Sequence, residues 1–401
     1  MKGVSLFSGA GGLDLGFRAA GFSIVASVEQ DSDCCETLRA NGFRDVVQDS
    51  VEEWLVRDQV KALRPQVLFG GPPCQPFSKS AYWSSTSAQG LADKRAGCVS
   101  TFMAAVAKLQ PSCFLIENVP GFVTAGGVDF VEDALDRLRV QGLDYQFNWR
   151  VLNCADFGVP QKRERFFGVG SIDGQFTFPE PTHADAHVTA WDALRNFKRP
   201  RTEDVQPKGK WAELIPTIPE GQNYLWHTAR GGGVELFGWR TRYWSFLQKL
   251  SKAEPAPTIV ATPAQDAGPF HWTNRHLSTR ELAALQTFPT SYRITGNRVS
   301  RRRQIGNAVP PLMSEILARA LALHLGHQAD GPSAHAISRA DSVPPPARLQ
   351  KIPPKYIPLV ASRPSHPGTG KGPSPRQRAV SVDLMPEFHT AAAQQPGATA
   401  S

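Results

Sequence analysis

From the start of the chain to about residue 170, short apolar runs alternate with turns and with helix-length amphipathic stretches. The runs Gly3–Phe7, Ser23–Val28, Asp45–Gln48, Gln66–Phe69, Cys113–Glu117, Tyr145–Leu152 and Arg165–Val169 predict strands. Leu13–Ala20, Ser32–Ala40, Val99–Leu109 and Val128–Val140 predict helices. Asp33 and Glu36 have the spacing of a capping box, and Gly42 suits a left-handed stop for the second helix. Alternation of this kind predicts an α/β fold: a doubly wound, mostly parallel sheet with ligands at the carboxyl ends of its strands.

Beyond about residue 180 the pattern loses its period. Residues 184–275 hold six of the nine tryptophans, many prolines and the triplet Gly231-Gly232-Gly233, which predicts a smaller, loop-rich second domain over 183–275. Periodicity returns over 276–328. Ser278-x-x-Glu281 opens one helix, and Pro310-Pro311 opens another with Leu312, Ile316 and Ala320 on one stripe, so this part is expected to rejoin the 1–182 domain. Residues 329–401, with Pro344-Pro345-Pro346 and Pro353-Pro354, show no apolar period and are expected to be a disordered basic tail, removable without loss of fold.

Charge and cysteine usage narrow the class. Residues 330–401 carry 8 Lys/Arg against 4 Asp/Glu, half of the net +8, so the folded part is only mildly basic, which permits a nucleic-acid partner without demanding one. No apolar run is long enough to span a bilayer and no secretory signal is visible, so a cytoplasmic protein without membrane contact is expected. The six cysteines form no CxxC pair and have no histidine at zinc-finger spacing, so no metal is expected.

Four segments carry candidate chemistry. Leu6-Phe7-Ser8-Gly9-Ala10-Gly11-Gly12 joins a strand to a helix, a context for a nucleotide-like cofactor. The third glycine of a dinucleotide fingerprint would fall at Asp14, which disfavours pyrophosphate. Glu29, ending the second strand, can hold ribose hydroxyls, and Asp49, ending the third, can face an adenine amino group; ordinary surface acids would look the same. Gly70-Gly71-Pro72-Pro73-Cys74-Gln75-Pro76-Phe77-Ser78 places Cys74 on a proline-fixed turn, unlike Cys34, Cys98, Cys113 and Cys154, which read as small buried hydrophobes. Glu117 ends an apolar strand, where burial would raise its pKa and let it hydrogen-bond a ring nitrogen, or where water would simply solvate it. Gln161-Lys162-Arg163-Glu164-Arg165 puts two arginines on one face, as a plain charged edge also would.

Taken in order, Phe-x-Gly-x-Gly, Pro-Pro-Cys-Gln, Glu-Asn-Val, Gln-x-Arg-x-Arg, Arg280-Glu281-Leu282 through Phe288-Pro289, and Gln304-Ile305-Gly306-Asn307-Ala308-Val309-Pro310 resemble the DNA (cytosine-5)-methyltransferase family over roughly residues 3–325. The resemblance implies the S-adenosylmethionine-dependent methyltransferase fold, with 183–275 as target-recognition domain. S-adenosyl-L-methionine would lie against Phe7, Gly9, Ala10, Gly11, Gly12, Glu29, Asp49, Gly71, Pro73 and Asn307. Cys74 would add to carbon 6 of a flipped-out cytosine, Glu117 would donate to ring nitrogen 3, and Arg165 with Arg163 would hold the carbonyl oxygen or a phosphate. Gln75–Ala96 would be a closing loop, and Gln75, Ser78, Arg240 and Arg242 would touch double-stranded DNA. Such an enzyme would act as a monomer near the nucleoid, as the modification partner of a restriction endonuclease on the same site.

The chain departs from the pattern at Ser5, where many relatives carry an acid. Two other functions are compatible: a transfer-RNA cytosine-5 methyltransferase, and a non-catalytic DNA-binding module of the same fold. The intact set of Cys74, Glu117 and Arg165 argues against the second.

Overall fold

The computed structural model describes residues 1–73, 97–198, 200, 203–238, 244–328 and 331–359. Seven strands form one sheet: β1 Lys2–Leu6, β2 Ser23–Glu29, β3 Val46–Gln48, β4 Val67–Gly70, β5 Cys113–Asn118, β6 Gln146–Asn153 and β7 Glu164–Ser171. Their order is β3-β2-β1-β4-β5-β7-β6. The first five are parallel, whereas β7 runs antiparallel to both β5 and β6. All seven strands expected from the alternation are present, each within two residues at either end.

Period-two alternation sends successive side chains to opposite faces. Leu68, Phe114 and Ile116 join the core beneath α4 (Gly97–Leu109) and α6 (Gly127–Val140). Val67, Phe69, Cys113 and Leu115 face α1 (Gly12–Ala19) and α10 (Pro311–His324). Phe17 of α1 stacks on Phe69 with ring centroids 3.8 Å apart. Side chains at Gly12 and Gly16 would run into the Val309 carbonyl and Ser314, so these glycines let α1 and α10 approach backbone to backbone. Between the sheet helices lie α2 (Ser32–Ala40), α3 (Val51–Leu55) and α5 (Gly121–Thr124). The cap of α2 is Asp31, whose carboxylate accepts the Cys34 amide, and not Asp33. Gly42 takes the left-handed stop, φ +78°.

Helix α7 (Ala190–Leu194) and α8 (Thr279–Leu285) share a third cluster with Ile305 of α9 (Arg298–Asn307). The Ser278–Glu281 capping box forms in full, and Glu281 also takes a bidentate pair from buried Arg275. A fourth cluster stands apart: Leu214, Ile215, Ile218, Tyr224, Leu236, Phe237, Leu247 and Phe270, with Trp211, Trp226 and Phe246 against it. Among the described residues, its regular structure is short 3-10 turns and the two-residue strands β8 Phe270–His271 and β9 Arg275–His276. The glycine triplet belongs to this packing, because a Cβ at any of the three would strike Trp226.

The expectation of a disordered tail from residue 329 is corrected over 331–359. Glu315 of α10, fully buried, accepts hydrogen bonds from Ser333 Oγ (2.8 Å) and the amides of Ala334 (3.0 Å) and His335 (3.2 Å). The Ala340 amide donates to Asp192 Oδ1 (2.7 Å), the Gln350 amide to the Pro216 carbonyl (3.1 Å), and Tyr356 is buried in the fourth cluster. Hydrogen bonds to fixed acceptors and one aromatic anchor hold this segment, so it needs no apolar period of its own.

Candidate active site

At the carboxyl edge of the parallel strands, β1 passes into Phe7, whose φ of +54° is strained for a residue other than glycine. That turn lets the Gly9 amide donate to Glu29 Oε2 (2.8 Å), while the Asp31 amide donates to Oε1 (2.8 Å). Burial raises the Glu29 pKa against the pull of these amides. Beneath the loop, Asp14 accepts from Ser5 Oγ (2.9 Å) and Ser27 Oγ (2.6 Å), and Ser8 Oγ donates to Ser5 Oγ (2.8 Å). Ser5 is therefore compatible with the loop because the acid enters from α1 instead of β1. Burial pushes Asp14 up to about 6. Tyr292 closes the far side, donating to the Ala10 carbonyl (2.7 Å).

The β4 and β5 ends supply the second half. Asn118 Nδ2 donates to the Pro72 carbonyl (3.3 Å), fixing the turn that leads to Cys74. Glu117 is 8% exposed, and its Oε1 lies 3.1 Å from Arg165 Nε. Because β7 is antiparallel, its first residues reach the edge where β5 ends, and Arg165 meets Glu117 there. Burial raises the Glu117 pKa, outweighing the lowering by Arg165 and Arg163. Burial thus favours the neutral carboxyl, and the adjacent guanidinium favours the charged one.

These groups surround one cavity of about 710 Å³. Its wall includes Phe7, Gly9, Ala10, Gly12, Glu29, Asp49, Gly71, Pro73, Glu117, Arg163, Arg165 and Asn307. Gly11 does not line it and packs instead against Leu38 and Tyr292. The acids Glu29, Asp31, Asp49 and Glu52 collect at the β2–β3 end, and Glu117 with Arg165 sits at the β5–β7 end. The acidic end suits a ligand bearing a diol and positive charge. The other end suits a neutral ring offering both acceptor and donor edges. Asp49 also pairs with Arg57, which holds its carboxylate in place.

Arg163 makes structural contacts that its sequence position did not suggest. It is 1% exposed, and its guanidinium donates to the carbonyls of Gly306 (2.9 Å), Ala308 (3.0 Å) and Ile259 (3.4 Å). It fastens the end of α9, and with it Asn307, to the sheet edge, while also lining the cavity. Sequence reasoning missed Asp14, Tyr292, Asn118 and the Arg303–Asp31 ion pair (2.8 Å) that ties α9 to α2. The spacing of Tyr292 three residues after Phe288-Pro289 was the one available signal. Cys74, Gln75, Ser78, Arg240 and Arg242 lie outside the described residues. The other five cysteines are free, with thiols pushed up by burial, Cys113 to about 11 and Cys154 to about 12.

A sheet of this order with a cavity at its carboxyl edge defines an S-adenosylmethionine-dependent methyltransferase fold. The family model for C-5 cytosine-specific DNA methylases matches residues 1–322. The chain is 34% identical over 367 residues to the type II methyltransferase M.SacI of Streptomyces achromogenes, covering 81% of this chain and 93% of that protein. It is 33% identical to M1.HphI of Haemophilus parahaemolyticus, covering 79% and 86%. Among solved structures, a putative DNA modification methyltransferase encoded within an E. coli prophage superposes with a TM-score of 0.59 at 26% identity, covering 82% of this chain and all of that one. The chain belongs to the C-5 cytosine-specific DNA methylase family. It is a DNA cytosine-5-methyltransferase, and its methyl donor is S-adenosylmethionine. The acidic end of the cavity fits that donor: an open glycine loop, the Glu29 carboxylate for the ribose diol, and net negative charge for the sulfonium and ammonium groups.

Proposed function

We propose that this chain methylates a cytosine within a specific sequence of double-stranded DNA, as the modification enzyme of a type II restriction-modification system, acting as a monomer on nucleoid DNA in the cytoplasm. The observation that carries the reading is the buried Glu117–Arg165 pair beside Pro73, the residue before Cys74.

Carbon 5 of cytosine is too weak a nucleophile to take a methyl group unaided. Addition of the Cys74 thiolate to carbon 6, with a proton from Glu117 on nitrogen 3, turns the ring into an enamine. Arg165 then holds the ring carbonyl oxygen while keeping Glu117 oriented. The donor supplies an electrophilic methyl group when bound at the acidic end. Once carbon 5 carries the methyl group, its proton passes to water, the carbon–sulfur bond breaks with its electron pair returning to the Cys74 thiolate, and the nitrogen 3 proton goes back to Glu117, which restores the ring. A paired base cannot reach a cavity lined this way, so the cytosine must leave the duplex. Residues 183–275, which contain most of the separate aromatic core, are assigned as the target-recognition domain.

The test is incubation with labelled S-adenosylmethionine and either duplex DNA or transfer RNA, followed by sequencing of the methylated product. Duplex containing 5-fluorocytosine should trap the native chain covalently, because fluorine cannot leave as a proton does. Cys74→Ser should neither trap nor turn over while binding the donor normally. Label entering RNA and not DNA would overturn the reading.

A further inference from the structure

The segment 331–359 lies beyond residue 322, where the family model ends, and no role is assigned to it. It is tied first to the catalytic part: Arg319 donates to the Gly331 and Pro332 carbonyls (both 3.1 Å), and Glu315 takes the three donors of residues 333–335. It then crosses α7, where Arg195 donates to the Ser338 carbonyl (2.9 Å), Arg339 to the His187 carbonyl (3.1 Å) and the Ala340 amide to Asp192 (2.7 Å). It ends in the fourth apolar cluster. Tyr356 is 3% exposed, stacks on Trp211 with centroids 5.9 Å apart and planes at 22°, and donates through its hydroxyl to the Lys210 carbonyl (2.6 Å). Lys355 pairs with Glu213 beside it.

Among the described residues, that cluster holds its shape mainly through side chains, because its regular structure amounts to short 3-10 segments and a two-residue ladder. An aromatic plug supplied from outside the unit therefore sets how the unit closes, and the strap behind the plug sets how it stands against α7 and α10. We propose that residues 331–359 are an orienting strap, and that Tyr356 is a positioning residue through which it fixes the recognition region for DNA engagement and site choice. The proposal rests on the reading of residues 183–275 as the DNA reader.

The test uses full-length variants. Tyr356→Ala should raise KM for cognate duplex about tenfold and lower the ratio of kcat/KM between the cognate site and single-base variants about fivefold. KM for S-adenosylmethionine should stay within about twofold of native. Tyr356→Phe keeps the ring stack and should restore both the DNA affinity and the preference among sites. A merely structural role would lower the active fraction on every duplex alike and leave KM and the preference unmoved, which would overturn the proposal. So would a parallel loss of donor affinity. If Tyr356→Ala proves insoluble, Ala340→Pro, which removes the amide bonded to Asp192, carries the same comparison. Hydrogen exchange keeps the two readings separable: in Tyr356→Ala the amides of residues 214–237 should exchange faster while those of the seven-stranded sheet do not. Failure of the native chain to methylate DNA would defeat the proposed function. Unchanged exchange at 214–237 would defeat the strap.

Discussion

A Cβ placed on Gly71 would lie 2.7 Å from Oε2 of Glu117, so the residue that opens the Pro-Pro-Cys turn and the carboxylate at the end of β5 occupy one space. The glycine is what allows the turn to pass over Glu117 while Arg165 holds that carboxylate from the other side.

Gly71→Ala should therefore act on chemistry before it acts on binding. The added methyl group pushes the Glu117 carboxyl off its Arg165 contact or lifts the turn bearing Cys74. Displacements of this kind cost about 100-fold in kcat. KM for S-adenosylmethionine, which the family resemblance also places against Gly71, should rise by much less than kcat falls. A variant with native kcat would show that the turn has room to give.

Glu117→Gln keeps the size of the side chain and removes its proton. Turnover should fall by about a thousandfold with DNA affinity largely kept. The pH dependence should change as well. Burial raises the Glu117 pKa, so the native enzyme loses its proton donor as pH rises through that value, and the Gln variant should lack this limb of the kcat profile. A variant that altered only DNA affinity would make Glu117 a binding residue.

The strands were legible because a sheet covered on both faces writes itself as short apolar runs with period-two alternation, as Phe114 and Ile116 against Cys113 and Leu115 illustrate. Strand direction was not: nothing in Glu164–Ser171 says that it runs antiparallel, yet that reversal brings Arg165 to Glu117. Helix α9 escaped notice because Arg301-Arg302-Arg303 looks like a solvated run, and its burial comes from Ser300, Gln304, Ile305 and Gly306. Arg163 read as a charged edge because its three acceptors lie about a hundred residues or more away in sequence. The strap was hidden for a related reason. Several of its donors are main-chain amides, and the acids that take them, Glu315 and Asp192, sit on helices distant in the chain.

Arg163→Lys separates support from substrate contact. One ammonium cannot reach the carbonyls of Ile259, Gly306 and Ala308 together, so the buried acceptors left unmet should cost about 2–4 kcal/mol, read as a lower denaturant midpoint. KM for DNA, measured on folded enzyme, should stay within about twofold. A KM for DNA raised well beyond that would return Arg163 to the role of phosphate ligand.

Asp14 gives the fold a pH dependence of its own. Burial raises its pKa to about 6, although the Ser27 and Ser5 hydroxyls pull the other way. In the unfolded chain the same carboxyl titrates near the ordinary value of about 3.9. Between these two values the folded protein holds a proton that the unfolded chain releases, so this group favours folding at low pH. Its contribution is complete below the unfolded value and is lost as pH rises through the folded one. Asp14→Asn keeps the shape and titrates in neither state. The stability of the native chain minus that of the variant should therefore increase by about 1 kcal/mol as pH falls from about 7.5 to about 5. Carboxyls that do not feel the Asp14 charge titrate alike in the two proteins and drop out of the difference, and Glu29, which does feel it, adds only a minor part. Denaturant midpoints measured at the two pH values give the answer, and a difference that stays flat would mean that Asp14 keeps one charge state across the range.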